Sequence, residues 1–255
     1  MNILKSFLIC ISMYSVIPVP NISWHEKNMK YIFYMLPFLG IFLGLLEYGI
    51  YITAHYFQIS SILYAALSTA LIVFYTGGIH LDGYADTIDA IFCHGDKEKR
   101  QQVLKDSNSG AFAVIYTITY FMIIFAAFEN MYENVMLYKL IFIFTLSRIF
   151  VLYIIAYTKS ATESGLLYTF SRAENKKALS IYAYTATLFS AVLIYFISGL
   201  IPAVIILLIL VIISIILNKY FLKVFGGLSG DLAGFSISIY EACLLLYFSM
   251  FSGGL

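Results

Sequence analysis

Charge is what this chain has least of. Only 11% of its 255 residues are Asp, Glu, Lys or Arg, while 62% are hydrophobic. That is less than half the charged share of a soluble domain, so a soluble globular protein is excluded. The formal net charge of +1 offers no broad basic footprint and argues against a nucleic-acid partner. Cysteine is scarce too. Cys10, Cys93 and Cys243 show neither redox nor metal-ligand spacing and read as small packed residues and a loop thiol. G-x-G-x-x-G, the Walker lysine loop, G-x-S-x-G and H-E-x-x-H are all missing. Dinucleotide binding, nucleotide hydrolysis, serine hydrolysis and zinc proteolysis therefore lose their usual signatures. No small-residue cleavage site follows the apolar run 3–17, which ends in Pro18-Val-Pro20, so a cleavable signal peptide is not expected. Repeats, low-complexity tracts and linkers are absent, and residues 1–255 read as one transmembrane domain.

What the chain has in abundance is long apolar runs. A hydrocarbon core of about 30 Å needs roughly 20 apolar residues per helix. Runs at 31–57, 61–76, 111–128, 136–157, 178–198, 202–217 and 235–250 predict about seven crossings. The fold class is all-α, a polytopic integral membrane helix bundle. Residues 3–17 are short for a crossing and are read as an N-terminal interfacial or re-entrant helix. The connecting loops alternate in charge. Lys27 and Lys30, then Lys97, Lys99, Arg100 and Lys105, then Lys159, Arg172, Lys176 and Lys177, then Lys219 and Lys223 fall on one side. The opposite loops hold no Lys or Arg and carry Glu129 and Glu133. This positive-inside pattern places the basic loops in the cytoplasm of a prokaryotic cell (inner) membrane.

Against this background one segment is anomalous. Residues 76–89 read Thr-Gly-Gly-Ile-His-Leu-Asp-Gly-Tyr-Ala-Asp-Thr-Ile-Asp. Asp82, Asp86 and Asp89 are spaced i, i+4, i+7, within roughly 60° of arc on a helix. Carboxylates beside a membrane span are costly and kept for function, and a cluster of them calls for a cation to share. Oxygen ligands point to Mg²⁺. A solvated helix start is the alternative, and the crowding of two glycines and His80 speaks against it. Here His80 is a ligand or a hydrogen-bonding neighbour. The loop beyond carries Lys97, Glu98, Lys99 and Arg100, then Lys105-Asp106-Ser107-Asn108-Ser109-Gly110. Metal-binding carboxylates with cations beside them suit a phosphate or pyrophosphate substrate. Lys97, Glu98 and Lys99 fit a solvated basic loop equally well. A second cluster, Gly226-Gly227-Leu-Ser229-Gly230-Asp231-Leu-Ala-Gly234, opens the last span. Its glycines suit close helix packing, whereas Asp231 suits a ligand or a base. Arg148 lies mid-span, as do Glu47 and Glu241. Arg148 either pairs with one of these or faces a phosphate.

At these residues the chain resembles the cobalamin synthase family, the adenosylcobinamide-GDP ribazoletransferases. The family's run Gly-Gly-x-His-x-Asp-Gly-x-Ala-Asp-x-x-Asp stands here as Gly77-Gly78-Ile-His80-Leu-Asp82-Gly83-Tyr-Ala85-Asp86-Thr87-Ile-Asp89. Arg100 and Leu104-Lys105-Asp106-Ser107-Asn-Ser-Gly110 match its continuation. Ile17-Pro18-Val-Pro20, Leu36-Pro37-Phe-Leu-Gly40, Ser147-Arg148 and Ser164-Gly165-Leu166 resemble other parts, and 227–234 resembles its C-terminal Gly-x-Thr-Gly-Asp. Ser229 replaces the usual threonine, Ser238 a usual acid, and Ala90 a common glycine. The resemblance implies Mg²⁺-dependent transfer of the adenosylcobinamide phosphoryl group from adenosylcobinamide-GDP to α-ribazole or its 5′-phosphate, with release of GMP. It implies Asp82, Asp86 and Asp89 as metal ligands and catalytic residues, joined by Lys105 and Asp231. Asp89 or Asp231 would accept the ribose proton, and Lys105 and Arg100 would balance charge on GMP. His80, Arg100, Asp106, Ser107, Arg148 and Ser229 would contact substrate. A groove between the 158–177 loop and the Asp helix, with Tyr168 and Phe170, is expected to hold the corrinoid. Homo-oligomers are left open.

Three other readings compete. CDP-alcohol phosphotransferases share an Asp-rich helix, but Asp82-Gly83-Tyr84-Ala85 is followed here by Asp86, and the second half of their pattern is missing. A transporter would place its acids near the bilayer midplane in repeated halves, and neither is seen. A purely structural component leaves the Asp spacing unexplained.

Overall fold

The computed structural model describes residues 2–106, 108–161 and 175–251. Among them the regular elements are helices, with one isolated bridge between Ser160 and Leu228. In chain order they are α1 (Asn2–Tyr14), α2 (Glu26–Met29), α3 (Ile32–Tyr56), α4 (Ser61–Thr76), α5 (Ile79–Phe92), α6 (Lys97–Val103), α7 (Ala111–Met131), α8 (Leu137–Tyr157), α9 (Lys176–Ser198), α10 (Leu200–Val224) and α11 (Gly230–Met250). Six of them, α3, α7, α8, α9, α10 and α11, are long and apolar enough to cross a membrane. The bent pair α4 and α5 supplies a seventh crossing. We read α4 as that crossing and α5 as a segment turned off its axis. The helix bundle expected from hydropathy is thus present. The short apolar α1 stops at Tyr14 and packs on α3.

The layering follows from the solvent. Lipid is as apolar as leucine, so apolarity does not pull a helix inward, whereas polar groups must find partners inside the bundle. The most apolar helix, α10, with mean hydropathy 3.5, buries 22% of its span, whereas α11, at 1.5, buries 78%. Central α8 buries 83% and contacts α3, α9, α10 and α11. Its Arg148 is 2% exposed and forms an ion pair with Glu241 of α11. The guanidinium also donates to the Phe144 carbonyl at 3.1 Å and to Ser147 Oγ at 2.9 Å. Of the two partners open to Arg148, the fold selects Glu241. Glu47 is buried on α3, and neither of its carboxyl oxygens has a hydrogen-bond partner among the described residues.

The break that releases α5 is local. Ser60 caps α4, its Oγ accepting the Leu63 N–H at 3.3 Å. At the other end Gly77 and Gly78 both adopt left-handed backbone, with φ of 64° and 79°. Such φ values suit glycine and stop the helix. The chain then turns by 92° and starts α5 at once. Beyond α1, the Val16 N–H binds the Tyr75 carbonyl at 2.9 Å, and Tyr14 stacks on His80 with ring centres 5.9 Å apart. The N-terminal segment thus braces the break.

Removing half of a buried ion pair leaves a charge with no compensation. Arg148→Met is expected to cost about 3–5 kcal/mol, and the double change Arg148→Met with Glu241→Leu to recover most of it. Thermal unfolding of detergent-purified protein measures both. A single variant as stable as the parent would contradict the ion pair's role.

Candidate active site

The acidic segment forms α5, as its spacing requires. Asp82 is exposed, and Asp86 and Asp89 are half-buried. The helix packs against α7 and α11, with Tyr84 stacked on Phe235 at 5.4 Å and 13° between ring planes. This packing needs glycine at position 83. A methyl group there would lie 2.7 Å from the Asp231 carbonyl oxygen and 2.9 Å from its Cα. Gly83 therefore lets α5 rest on the first turn of α11, which brings the acid of the second motif beside those of the first. Desolvation pushes the Asp86 carboxyl up to about 7, reinforced in turn by the charges of Asp82, Asp231, Asp89 and Asp106. Five carboxylates thus share one electrostatic neighbourhood. Beside them an open groove of about 600 Å³ is lined by Gly77, Gly78, Asp82, Ala85 and Thr117, among others.

The candidate residues divide by what they touch. Asp89 caps α7. Its Oδ1 accepts the Ala113 N–H at 2.8 Å, and its Oδ2 accepts the Gly110 N–H. Of the three acids expected to hold metal, it is the one already committed to backbone donors, a favourable place for a negative charge. Arg100 does the converse at the C-terminal end of α5, the end that carries Asp89. It donates to the carbonyls of Ala90 at 2.9 Å and Ile91 at 2.7 Å, and to Gly95 at 3.4 Å. It satisfies the last carbonyls of that helix. Ser229 caps α11, accepting the Leu232 N–H at 3.3 Å, and its Oγ lies 3.5 Å from Asp231 Oδ2. Asp106 is exposed and accepts from the Asn108 N–H at 3.0 Å and the Asn108 side chain at 2.9 Å, bonds that hold its carboxyl below the usual range. Lys105 is exposed next to it. His80 is buried beneath Tyr14, and its carbonyl accepts from Ser238 at 3.3 Å. Arg148 lies in the bundle core with Glu241. Ser107, the 164–166 motif, Tyr168 and Phe170 lie outside the described residues.

One organising residue carried no sequence signal. Gln101 donates to the Phe225 carbonyl at 2.7 Å and to the Ala161 carbonyl at 3.4 Å. It ties α6 to the 226–234 motif and to the chain leaving α8. That chain in turn pairs with the motif through Leu228 N–H to the Lys159 carbonyl at 2.8 Å and Ala161 N–H to the Leu228 carbonyl at 2.9 Å. A glutamine in a basic loop reads as solvated, and only the fold shows what it reaches. The 226–234 motif thus meets α5 at Gly83 and residues 159–161 at Leu228.

Among the described residues, no three His, Cys, Asp or Glu side chains converge into a ready metal cage. The donor set is nevertheless oxygen-only, and magnesium is ordinarily bound by one or two carboxylates together with substrate phosphates. Asp82 and Asp86 fit that mode.

The fold and site define a polytopic membrane helix bundle with a carboxylate cluster assembled from two helices at its basic face. A family model described as CobS, cobalamin-5-phosphate synthase, matches residues 6–249. The chain is 36% identical over 254 residues to the adenosylcobinamide-GDP ribazoletransferase of Clostridium botulinum (strain Alaska E43 / Type E3), covering 95% of this chain and 98% of the relative. It is 34% identical over 235 residues to the protein of the same name from Lachnoclostridium phytofermentans (strain ATCC 700394 / DSM 18823 / ISDg), covering 92% and 89%. Identity to that of Clostridium perfringens (strain ATCC 13124 / DSM 756 / JCM 1290 / NCIMB 6125 / NCTC 8237 / Type A) is 33% over 242 residues, covering 93% and 94%. No solved structure matches. The chain belongs to the cobalamin-5-phosphate synthase family.

Gly83→Ala is expected to cost about 1–3 kcal/mol through overpacking of α5 on α11. Thermal unfolding in detergent is the check. Unchanged stability would show that the two helices are not in close contact at Asp231.

Proposed function

We propose that the protein is an adenosylcobinamide-GDP ribazoletransferase. It transfers the adenosylcobinamide phosphoryl group from adenosylcobinamide-GDP to α-ribazole or α-ribazole 5′-phosphate and releases GMP, late in adenosylcobalamin biosynthesis. The observation that carries this reading is the seating of Asp231 against Gly83, which joins the two family motifs into one acidic cluster. The relatives' shared name supplies the substrates. The Lys and Arg distribution supports a cytoplasmic site in a prokaryotic inner membrane.

In the reaction the acceptor hydroxyl oxygen bonds to the phosphorus that carries cobinamide, and the bond from that phosphorus to the GMP oxygen breaks. Asp231 takes the hydroxyl proton, as a carboxylate poised beside the metal-binding face. Lys105, exposed beside the cluster, balances charge on the departing GMP. Asp82 and Asp86 would hold Mg²⁺, which when bound neutralises pyrophosphate oxygens. Asp89 and Arg100 position the site by fastening the two ends of the α5–α7 connection. Ser229 sets the first turn of α11 and so the height of Asp231. His80 and Arg148 act from beneath the site through packing.

The test uses protein in liposomes with adenosylcobinamide-GDP and α-ribazole 5′-phosphate. GMP and the new corrinoid are followed by chromatography, with and without Mg²⁺. Asp82→Asn is expected to lower turnover about 100-fold or more, while Glu98→Gln, on the exposed face of α6, retains it. No product from folded protein would overturn the activity. Full Mg²⁺-dependent turnover in Asp82→Asn would overturn the metal assignment.

A further inference from the structure

A second cavity lies apart from the acidic cluster. Helices α8, α9 and α10 enclose a groove of about 460 Å³, and none of its lining residues belongs to α5, α6, α7 or α11. The volume is in the range of a ligand site. Its wall includes Phe150, Ile154, Val211 and Ile215. The hydroxyls of the wall are engaged within the protein. Tyr153 bonds Thr187 at 2.9 Å, Ser214 bonds Tyr240 at 2.7 Å, and Tyr157 bonds Tyr184 at 3.1 Å. The groove therefore presents mainly carbon, which suits a hydrocarbon chain better than a polar solute.

Its mouth has the opposite character. Lys219 lines the groove near the basic end of α10. An adjoining depression of about 410 Å³ shares Tyr157 and Tyr184 and is lined by Lys176 and Lys177, in the first turn of α9. Among the described residues, no Asp or Glu lines either cavity. All three lysines are exposed, and among the described residues none forms an ion pair. An apolar slot that opens onto three cations is complementary to an amphiphile with an anionic head.

We propose that this groove binds an anionic phospholipid. One acyl chain lies along the α8–α10 wall, and the phosphate headgroup sits on Lys176, Lys177 and Lys219. Lysines near a membrane surface attract anionic lipid, so three together select it over a zwitterionic lipid with the same chains.

Native mass spectrometry of the full chain in detergent, titrated with phosphatidylglycerol or phosphatidylcholine of identical acyl chains, tests this. Phosphatidylglycerol is expected to bind at about tenfold lower concentration. Combined Lys176→Gln, Lys177→Gln and Lys219→Gln brings the two lipids to within about twofold. Ile215→Trp, which fills the groove, lowers binding of both. Added inorganic phosphate at the lipid concentration leaves the lipid bound. Equal binding of the two lipids to the parent protein would overturn the proposal, as would a preference that survives the triple change or displacement by phosphate. The parent comparison decides even where a variant fails to fold.

Discussion

The whole arrangement depends on keeping carboxylates out of hydrocarbon. A continuous helix from Ser61 to Phe92 would carry Asp82, Asp86 and Asp89 into or past the bilayer along one axis. The pair Gly77-Gly78, both with positive φ, ends α4 and turns the chain by 92°. The polar helix can then leave the span and lie against α7 and α11. Two residues without Cβ atoms thus separate a lipid-facing half from an acid-bearing half. The first requirement of the site is a backbone requirement, and the charges follow from it.

Holding α5 in place takes a rigid partner, and the bundle supplies one by turning soluble-protein logic inside out. Helices α8 and α11, which carry the buried charges Arg148 and Glu241, are central and locked by that pair, while the most hydrophobic helix, α10, faces lipid. Because α11 is fixed by the core, its first turn is a stable shelf for α5. Asp89 and Arg100 then tie the loop region to the ends of α7 and α5. Side chains that read as ligands by charge also finish helices. Such caps leave Asp82, Asp86 and Asp231 as the acids with the most freedom to meet a substrate.

Hydropathy and loop charge made the spans legible, because both report directly on the lipid solvent. The run at 61–76 coincides with α4, and most other ends agree within a few residues. The last span begins five residues before 235, since Gly230, Asp231 and Gly234 score poorly as apolar while Ser229 is a good cap. That difference matters, for it puts Asp231 on a helix instead of in a loop. The acidic helix was legible from the i, i+4, i+7 spacing. What each charge touches was not, because a side chain near a helix end can serve a backbone or a ligand equally well. Gln101 lay beyond inference, since its partners are carbonyls 60 and 124 residues away.

The central claim is that acids from two separate helices act as one site, completed by a divalent ion together with a substrate pyrophosphate. Electron paramagnetic resonance of Mn²⁺, added as a magnesium substitute to the reconstituted protein with and without GDP, reads this directly. The expected result is tight Mn²⁺ binding that needs GDP and is weakened by Asp82→Asn and by Asp231→Asn alike. Binding that needs no GDP and is indifferent to both substitutions would contradict the account.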